Sequence, residues 1–180
     1  MMEEKVILVN NQDEEIGICE KMEAHRKGLL HRAFSIFIFN STSQMLLQER
    51  ARCKYHSGGL WTNACCSHPR PNEALEAATH RRLEEEFGFD CPLRPVFSFT
   101  YRVALDHDLI EHEFDHVFFG TYDGAITHPN PAEIDSWRWL ELEELQQEIR
   151  EKPERFTTWF RIALPRVLGR FIDNLAHYSD

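Results

Sequence analysis

The sequence lacks a long hydrophobic segment and is poor in basic residues. Its longest apolar run falls far short of the ~20 residues that a membrane-spanning helix needs, so no membrane association is expected. Lysine and arginine total 20, against 30 aspartate and glutamate residues, which gives a formal net charge of −10. Because nucleic-acid binding needs a basic surface, this balance argues against a nucleic-acid partner. A small anionic ligand remains compatible with it, provided that a local basic pocket or a bridging cation is present.

The sequence also lacks an export signal and any sign of a boundary between domains. Residues 1–5 do not show the basic-then-apolar pattern of a signal peptide. The five cysteines are an odd number, which does not suit a disulfide framework and favours reduced thiols. We therefore expect a cytoplasmic protein. No repeat, low-complexity tract or flexible linker interrupts the chain, so a single domain over residues 1–180 is predicted.

Hydrophobic patterning predicts a mixed sheet with helices packed on both faces, an α/β (α+β) fold. The predicted strands cover residues 6–9, 16–19, 33–39, 45–48, 96–105, 113–122 and 134–140. Residues 33–39 (AFSIFIF) are apolar on both faces, which indicates a central strand. Helices are predicted over residues 73–87, 141–151 and 157–178. Asn72 and Gly88 are expected to cap the first helix, and Pro165 to kink or restart the last.

Residues 61–69, WTNACCSHP, place the thiol of Cys66 two residues from the imidazole of His68. This stretch is predicted to be a tight, partly exposed loop. Thiolate and imidazole are groups that metals and proton-transfer chemistry recruit. An isolated cysteine is more often an inert buried thiol. Cys66 is therefore a candidate catalytic residue only if other reactive groups lie close to it. Glu111 and Glu113 are candidates, because their strand spacing projects both carboxylates to one side.

The predicted helix before Gly88 carries a degenerate motif. Counting backward gives Glu86, Glu85 and the Arg81-Arg82 pair, with a further glutamate eight residues before Arg81. This spacing resembles the Nudix box, whose stacked carboxylates hold divalent cations against a diphosphate. Arg82 replaces a glutamate of the box, and a serine stands where its first glycine belongs. A cation in that position should weaken hydrolysis while still allowing a diphosphate to bind. Without the motif, an acidic helix would indicate only a solvated face.

Several elements in this order resemble the type 1 isopentenyl-diphosphate isomerase family. They are the HRAFS segment at residues 31–35, the stretch at 61–69, the degenerate box, and Glu111-His112-Glu113. The resemblance covers residues 6–159. It implies a Nudix-like mixed sheet sandwiched between helices. It also implies an isomerase of isoprenoid biosynthesis that interconverts isopentenyl and dimethylallyl diphosphate by protonation and deprotonation.

The resemblance further implies roles for individual side chains. Cys66 and Glu113 are expected to exchange protons with the substrate, Tyr101 to assist Glu113, and Trp159 to face a carbocation. Glu86 is expected to hold Mg²⁺ against the diphosphate. The expected phosphate-contacting cations are Lys21, Arg50, Lys54 and Arg82. The expected ligands of a second ion (Mn²⁺, Zn²⁺ or Mg²⁺) are His25, His31, His68, Glu111 and Glu113.

Other groups are assigned no chemistry. Cys65 is expected to point away from Cys66 and to serve structure alone. His25 belongs to the expected ligand set, although it lies in a predicted loop, where a lone histidine is more often a surface residue. The remaining histidines are read as ordinary surface residues: His56, His80, His107, His112, His116 and His128. The expected partner is a small-molecule diphosphate, and the chain is expected to be a monomer or a weak homodimer.

Two alternatives stay open at the level of sequence. The first is a Nudix hydrolase of a nucleoside or isoprenoid diphosphate, against which Arg82, Cys66 and Glu113 argue. The second is a non-catalytic metal-binding module. Structural zinc sites usually close with four cysteine and histidine ligands at short spacing, and this sequence does not have that pattern. Mixed histidine and glutamate ligation favours catalysis.

Overall fold

The structure, a computed structural model, describes residues 4–177, with their side chains up to residue 173. Strand β3 (His31–Phe39) lies at the centre of a mixed sheet and is buried along almost its whole length. Its even-numbered residues Phe34, Ile36 and Ile38 belong to one buried cluster, and Phe37 and Phe39 belong to another. The sheet therefore carries a hydrophobic core on each face, as the two-sided apolar pattern of β3 predicts.

The described residues form nine strands in one sheet. The strands are β1 (Lys5–Val9), β2 (Glu15–Glu20), β3, β4 (Met45–Arg50), β5 (Trp61–Thr62), β6 (Cys65–Ser67), β7 (Leu93–Ala104), β8 (Ile110–Thr121) and β9 (Ile134–Leu140). The order β2-β1-β3-β4-β5 forms one path through the sheet. Strand β8 pairs with β3 in parallel and with β7 in antiparallel orientation, and β9 pairs with β4. The sheet is mixed, as predicted.

Helices cover both faces of the sheet. They are α1 (Lys21–Lys27), α2 (Leu75–Phe87), α3 (Leu142–Glu151) and α4 (Thr158–His177), with a short 3-10 helix at Pro153–Arg155. Helix α2 buries Leu83 and Phe87 against the cluster that contains Phe34, while α4 buries Phe160 and Val167 against the opposite one. The predicted sandwich of a sheet between helices is confirmed. Within the described residues, no helix is long and apolar enough to span a bilayer.

Several predicted boundaries are wrong. Helix α2 begins after Ala74 rather than Asn72, which has a left-handed φ of 65° and therefore cannot serve as an extended cap. Gly88 ends the helix as predicted, with φ 74° and its N–H bonded to the Glu84 carbonyl. Helix α4 runs on through Pro165 without restarting. Tyr178, the predicted end of that helix, lies outside the described residues.

Three elements differ in kind from the prediction. Helix α1, which carries His25, replaces a predicted loop. Its carboxylate cap, Glu20, accepts hydrogen bonds from the backbone N–H groups of Met22 and Glu23. The 61–69 stretch is not a loop, because it contains β5 and β6 and is buried from Trp61 to Cys65. Cys66 therefore has a fixed place in the sheet.

Strand pairing brings the reactive side chains together. His31 lies opposite Glu113 in the parallel β3–β8 pair, and Cys66 lies opposite Ser35 in the β3–β6 pair. Tyr101 on β7 is paired with Glu113 on β8. Since all four strands are neighbours, groups that are far apart in the sequence reach one end of the central strand.

Candidate active site

Three potential metal ligands converge where β3 begins. The Nε2 of His68 lies 2.9 Å from Glu113 Oε1 and 3.2 Å from His31 Nε2, which itself lies 3.5 Å from Glu113 Oε1. Ligand atoms bonded at about 2.1 Å to one ion, at right angles, are separated by roughly 3 Å. The triangle therefore has the dimensions of one face of a metal site.

Two of the imidazoles are oriented by backbone carbonyls. The Nδ1–H of His31 donates to the Leu29 carbonyl, and that of His25 donates to the Lys21 carbonyl, both at 2.8 Å. In each ring the proton on Nδ1 leaves Nε2 with a free lone pair, which is the form that binds a metal. The Nε2 of His25 is buried and has no hydrogen-bond partner within the part of the chain that the structure describes. A divalent cation would satisfy that atom.

Burial keeps the imidazoles of His25 and His68 neutral. It lowers the pKa of His68 to about 3 and also lowers the pKa of His25. Burial alone would raise the pKa of Glu113, but its contacts with the imidazoles of His31 and His68 hold that pKa well below its usual range. A neutral imidazole and an ionised carboxylate are the forms that coordinate metal. The His/Glu group can therefore hold a divalent metal.

The two glutamates of β8 are linked by a tyrosine. The Tyr101 hydroxyl lies 2.7 Å from Glu113 Oε2 and 3.0 Å from Glu111 Oε2. Burial, reinforced by the charge of Glu113, raises the pKa of Glu111 well above its usual value. Burial and both carboxylates raise the pKa of Tyr101. The hydroxyl therefore stays protonated and donates to a carboxylate.

The two adjacent cysteines face opposite sides of the sheet. Cys65 is buried in the cluster under α2, as predicted, whereas Cys66 points to the other face. The Sγ of Cys66 lies 3.1 Å from Asn63 Oδ1 and 3.4 Å from Ser35 Oγ. Burial raises the pKa of the Cys66 thiol, so this sulfur is protonated at rest.

One cavity of about 190 Å³ connects the predicted groups. This volume is below the ~300–1,000 Å³ typical of drug-sized ligand sites, so the cavity suits a small substrate. The side chains at its wall include eleven of the predicted site residues: Lys21, Arg50, Lys54, Cys66, His68, Arg82, Glu86, Tyr101, Glu111, Glu113 and Trp159. His25 and His31 are completely buried behind the wall, with ring centroids 5.8 and 4.9 Å from that of His68.

The cations at the wall are paired with carboxylates. Lys21 Nζ lies 2.7 Å from Glu4 Oε2, and Lys54 Nζ lies 2.5 Å from Glu133 Oε2. Arg50 differs, because its guanidinium carbon lies 5.2 Å from the centroid of the Trp159 ring. When an anionic ligand binds, its oxygens would replace the carboxylates as partners of Lys21 and Lys54.

Arg82 and Glu86 face each other across one turn of α2. The Arg82 Nη2 lies 2.6 Å from Glu86 Oε1, and Gln48 Nε2 donates to Glu86 Oε2 at 2.8 Å. Arg82 also contacts Glu85 at 2.7 Å and Glu133 at 3.3 Å. Both oxygens of Glu86 are thus engaged, and an ion bound there would have to displace one of these contacts.

Sequence reasoning missed several polar residues of the site. His56 was read as a surface residue, which is wrong, since it is 3% exposed, lines the cavity and has its Nε2 3.8 Å from Glu111 Oε1. Asp115 accepts a hydrogen bond from Ser35 Oγ at 2.7 Å beside Cys66. Asp115 could have been predicted from the sequence, because it continues the alternation of Glu111 and Glu113 along β8. No comparable sequence pattern marks His56.

The other histidines have ordinary structural contacts. His80 bonds Asp90, and His112 bonds the Gly28 carbonyl. His116 lies 2.8 Å from Asp13 Oδ2. His107 and His128 are exposed. None of these five lines the cavity.

Comparison with known proteins identifies the family. A NUDIX domain model matches residues 29–160. The isopentenyl-diphosphate Delta-isomerase of Burkholderia multivorans is 54% identical over 176 residues, covering 98% of this chain and 99% of that protein. The enzyme of the same name from Pectobacterium atrosepticum is 50% identical over 163 residues, covering 91% of this chain and 90% of that protein.

Solved structures agree on the fold. A Deinococcus radiodurans protein superposes with a TM-score of 0.66 at 22% identity, covering 82% of this chain and 90% of that one. The MutT protein of Methanosarcina mazei gives 0.62 at 19% identity, covering 81% and 95%. With the Nudix fold and the high identity to the named enzymes, the chain belongs to the isopentenyl-diphosphate Delta-isomerases, which interconvert isopentenyl and dimethylallyl diphosphate in isoprenoid biosynthesis.

Proposed function

We propose that Cys66 and Glu113 are the acid/base pair of this isomerase. The substrate and product differ only in the position of one double bond. One group donates a proton to the terminal methylene carbon of isopentenyl diphosphate, which gives a tertiary carbocation at C3. The other removes a proton from C2, and the electrons of that C–H bond form the new double bond. The reverse reaction exchanges the two roles, so each group must be able to gain and lose a proton.

The observation that supports this pair most strongly is their shared cavity. Cys66 comes from β6 and Glu113 from β8, on opposite sides of β3, yet both border the same small space. The cavity is too small to accommodate much water beside a substrate. Exclusion of water matters, because water would capture the carbocation before C2 is deprotonated.

Tyr101 and Trp159 are proposed to support the two chemical steps. The Tyr101 hydroxyl holds Glu113 Oε2 through the 2.7 Å hydrogen bond and so fixes the orientation of the carboxyl at the cavity wall. Trp159 offers an indole face at the cavity wall. A desolvated cation against such a face gains about 2 kcal/mol or more, which stabilises the carbocation relative to the neutral substrate.

Lys21, Arg50, Lys54 and Arg82 are proposed to bind the diphosphate. All four lie at the cavity wall. Because the chain carries a net charge of −10, a dianionic group can bind only where such cations are gathered locally. Glu86 is proposed to hold Mg²⁺ against the phosphate oxygens, which requires it to release Arg82 or Gln48. A released Arg82 would then be available to the substrate.

His25, His31, His68, Glu111 and Glu113 are proposed to hold a second ion, Mn²⁺, Zn²⁺ or Mg²⁺. Such an ion supplies fixed positive charge that orients Glu113 and stabilises its carboxylate. The imidazole-rich donor set suits Mn²⁺ or Zn²⁺ better than Mg²⁺. Because Glu113 serves both metal and substrate, its replacement should remove activity and weaken metal binding together.

The remaining proposals concern the setting of the enzyme. A cytoplasmic location fits the five free thiols. A small diphosphate is the proposed partner, with neither nucleic acid nor membrane, and the chain is proposed to act as a monomer or weak homodimer.

Isotope incorporation tests the proposed chemistry. The protein is incubated with isopentenyl diphosphate and Mg²⁺ in deuterated water, and product and inorganic phosphate are measured together. Deuterium in the methyl group of dimethylallyl diphosphate without phosphate release is the expected result. Phosphate release without double-bond migration would identify a hydrolase and contradict the proposal.

A further inference from the structure

His56 is a buried imidazole for which the proposed mechanism has no use. It lies between β4 and β5, with its side chain 2% exposed. Its Nδ1 lies 3.3 Å from Ser57 Oγ, and its Nε2 lies 3.8 Å from Glu111 Oε1. Burial lowers its pKa to about 2, so the ring is neutral. One ring nitrogen therefore has a lone pair beside a buried carboxyl.

The ligand atoms near His56 form two groups that share one residue. In the first group, donor atoms of His25, His31, His68 and Glu113 all lie within 4.8 Å of one another. In the second group, donor atoms of His25, His56 and Glu111 meet the same limit. The rings of His25 and His56 are nearly parallel, with an interplanar angle of 29° and centroids 6.1 Å apart.

The shared residue can serve only one ion. The Nδ1 of His25 is occupied by its hydrogen bond to the Lys21 carbonyl, so Nε2 alone is free to bind. An imidazole nitrogen has a single lone pair and binds a single metal. The two groups therefore cannot each hold an ion through His25. One ion bound at the buried Nε2 of His25, which has no hydrogen-bond partner among the described residues, can therefore draw on the donors of both groups.

We propose that His56 is a sixth protein ligand of the ion at the His/Glu site. This inference rests on the ion site proposed above and extends it. With His56 the set comprises four imidazole nitrogens and two carboxylate oxygens, which suffices for an octahedron when each residue contributes one atom. Within each group, separations of 2.9 and 3.8 Å fit such a shell, in which neighbours are roughly 3 Å apart and opposite atoms about 4 Å. The atoms of the two groups do not all lie within 4.8 Å of one another, so the ion must draw His56 and Glu111 toward the first group when it binds.

The fourth imidazole has consequences for metal choice and for mechanism. Imidazole nitrogens favour Zn²⁺, Co²⁺ and Ni²⁺, whereas Mg²⁺ prefers oxygen ligands. His56 therefore raises the affinity for the former ions much more than the affinity for Mg²⁺. Six protein donors also leave the ion no free position for substrate. The ion then acts by fixing the two glutamates rather than by binding the alkene or the diphosphate.

A competing role for His56 is packing. Its ring meets the Trp159 ring edge-on, with centroids 5.6 Å apart, so it also shapes the cavity wall. His56→Phe separates the two roles, because phenylalanine keeps an aromatic ring against Trp159 and removes both nitrogens. His56→Ala removes packing and ligand together, so if the phenylalanine variant does not fold, unchanged Co²⁺ affinity in His56→Ala would overturn the inference by itself. His80→Phe is the matched control, since His80 lies on α2 and bonds only Asp90.

The test measures the binding of Co²⁺ to metal-free protein in two ways, by calorimetry and by the visible absorption spectrum. Wild type and His80→Phe are expected to bind one Co²⁺ with equal affinity. His56→Phe should bind at least about 10-fold more weakly, with its absorption shifted to longer wavelength as water replaces an imidazole, and Mg²⁺ affinity should change far less. Unchanged Co²⁺ affinity and spectrum in His56→Phe would overturn the inference. Failure of wild type to bind Co²⁺ would refute the ion site itself, while the deuterium assay judges the acid/base chemistry separately.

Discussion

The hydroxyl of Ser35 lies 3.4 Å from the sulfur of Cys66, on the neighbouring strand. Ser35 also donates to Asp115 Oδ2 at 2.7 Å, which uses its only proton. Asn63 is held with its carbonyl oxygen 3.1 Å from the same sulfur, because its amide nitrogen donates to two backbone carbonyls. The thiol therefore lies between fixed oxygen atoms that direct its S–H bond.

Removing the serine hydroxyl should slow the reaction with little effect on substrate binding. Ser35→Ala deletes a hydrogen bond that orients the reactive sulfur but touches none of the phosphate-binding cations. A neutral hydrogen bond contributes about 0.5–1.5 kcal/mol, so kcat is expected to fall about 3- to 10-fold at nearly constant KM. Steady-state kinetics give both values. Ser98→Ala, at an exposed position on β7, is the control, and a rise in KM at unchanged kcat would refute the assigned role.

Tyr101→Phe should lower kcat more strongly. The substitution keeps the buried ring but leaves the neighbouring carboxyl groups Glu111 and Glu113 without their shared donor. Charge-assisted hydrogen bonds contribute about 1.5–3 kcal/mol, so a loss of about 10- to 100-fold is expected. Tyr122→Phe, which removes an exposed hydroxyl bonded to the Ala125 carbonyl, should retain full activity. Equal kinetics for the two variants would show that the Tyr101 hydroxyl has no part in catalysis.

Arg82→Gln should weaken substrate binding. Arg82 is the cation that replaces a carboxylate of the Nudix box, and it lies at the cavity wall against Glu86. Its loss removes the counter-charge of Glu86 beside the diphosphate, whereas Glu133 keeps its ion pair with Lys54. The KM for isopentenyl diphosphate is expected to rise about 10-fold or more, as for the loss of a charged hydrogen bond. Arg26→Gln, at an exposed position on α1, should leave KM unchanged.

The Glu73–Arg81 pair should make stability depend on pH. Arg81 donates to both Glu73 oxygens, at 2.6 and 2.8 Å, and these hydrogen bonds hold the pKa of Glu73 below the usual 4.5. Because the folded-state pKa is the lower one, the pair stabilises the protein above pH 4.5. This contribution is lost as the pH falls through the lowered pKa.

Denaturant titration of Glu73→Gln measures that contribution. At pH 7 the free energy of unfolding is expected to fall by about 1–2 kcal/mol, because the pair is only partly exposed. The difference from wild type should shrink toward pH 3. Glu76→Gln, an exposed glutamate in the first turn of α2, serves as control. A deficit that stays constant from pH 7 to pH 3 would show that the charge of Glu73 is not responsible.

The sequence predicts the core of the fold well, because long periodic segments report burial directly. The two-sided apolar pattern of β3 and the polar–apolar pattern of β8 identify both strands, whereas their parallel pairing, on which His31 and Glu113 meet, is known only from the structure. Helix α1 was missed, since it has only seven residues, is mostly polar, and begins with Glu20 rather than a common cap residue. Strands β5 and β6 are too short to show any period.

The site residues are predicted through family resemblance, so the prediction reaches only the residues that lie in the shared motifs. Cys66 and Glu113 lie in motifs that the family shares, so both were identified. His56 lies outside those motifs, and no local pattern marks a histidine that tertiary packing buries beside Glu111. Ser35 was not singled out because only the pairing of β3 with β6 places its hydroxyl beside the thiol.

Product analysis of two neighbouring cysteine variants tests the acid/base pair most directly. Cys66 faces the cavity, whereas Cys65 is buried on the opposite side of the sheet. Deuterium incorporation into dimethylallyl diphosphate is followed by nuclear magnetic resonance in deuterated water for Cys66→Ala, Cys65→Ala and wild type. The account predicts no detectable double-bond migration in Cys66→Ala, with fold and metal content retained, and near-normal incorporation in Cys65→Ala. Wild-type turnover in Cys66→Ala would contradict it.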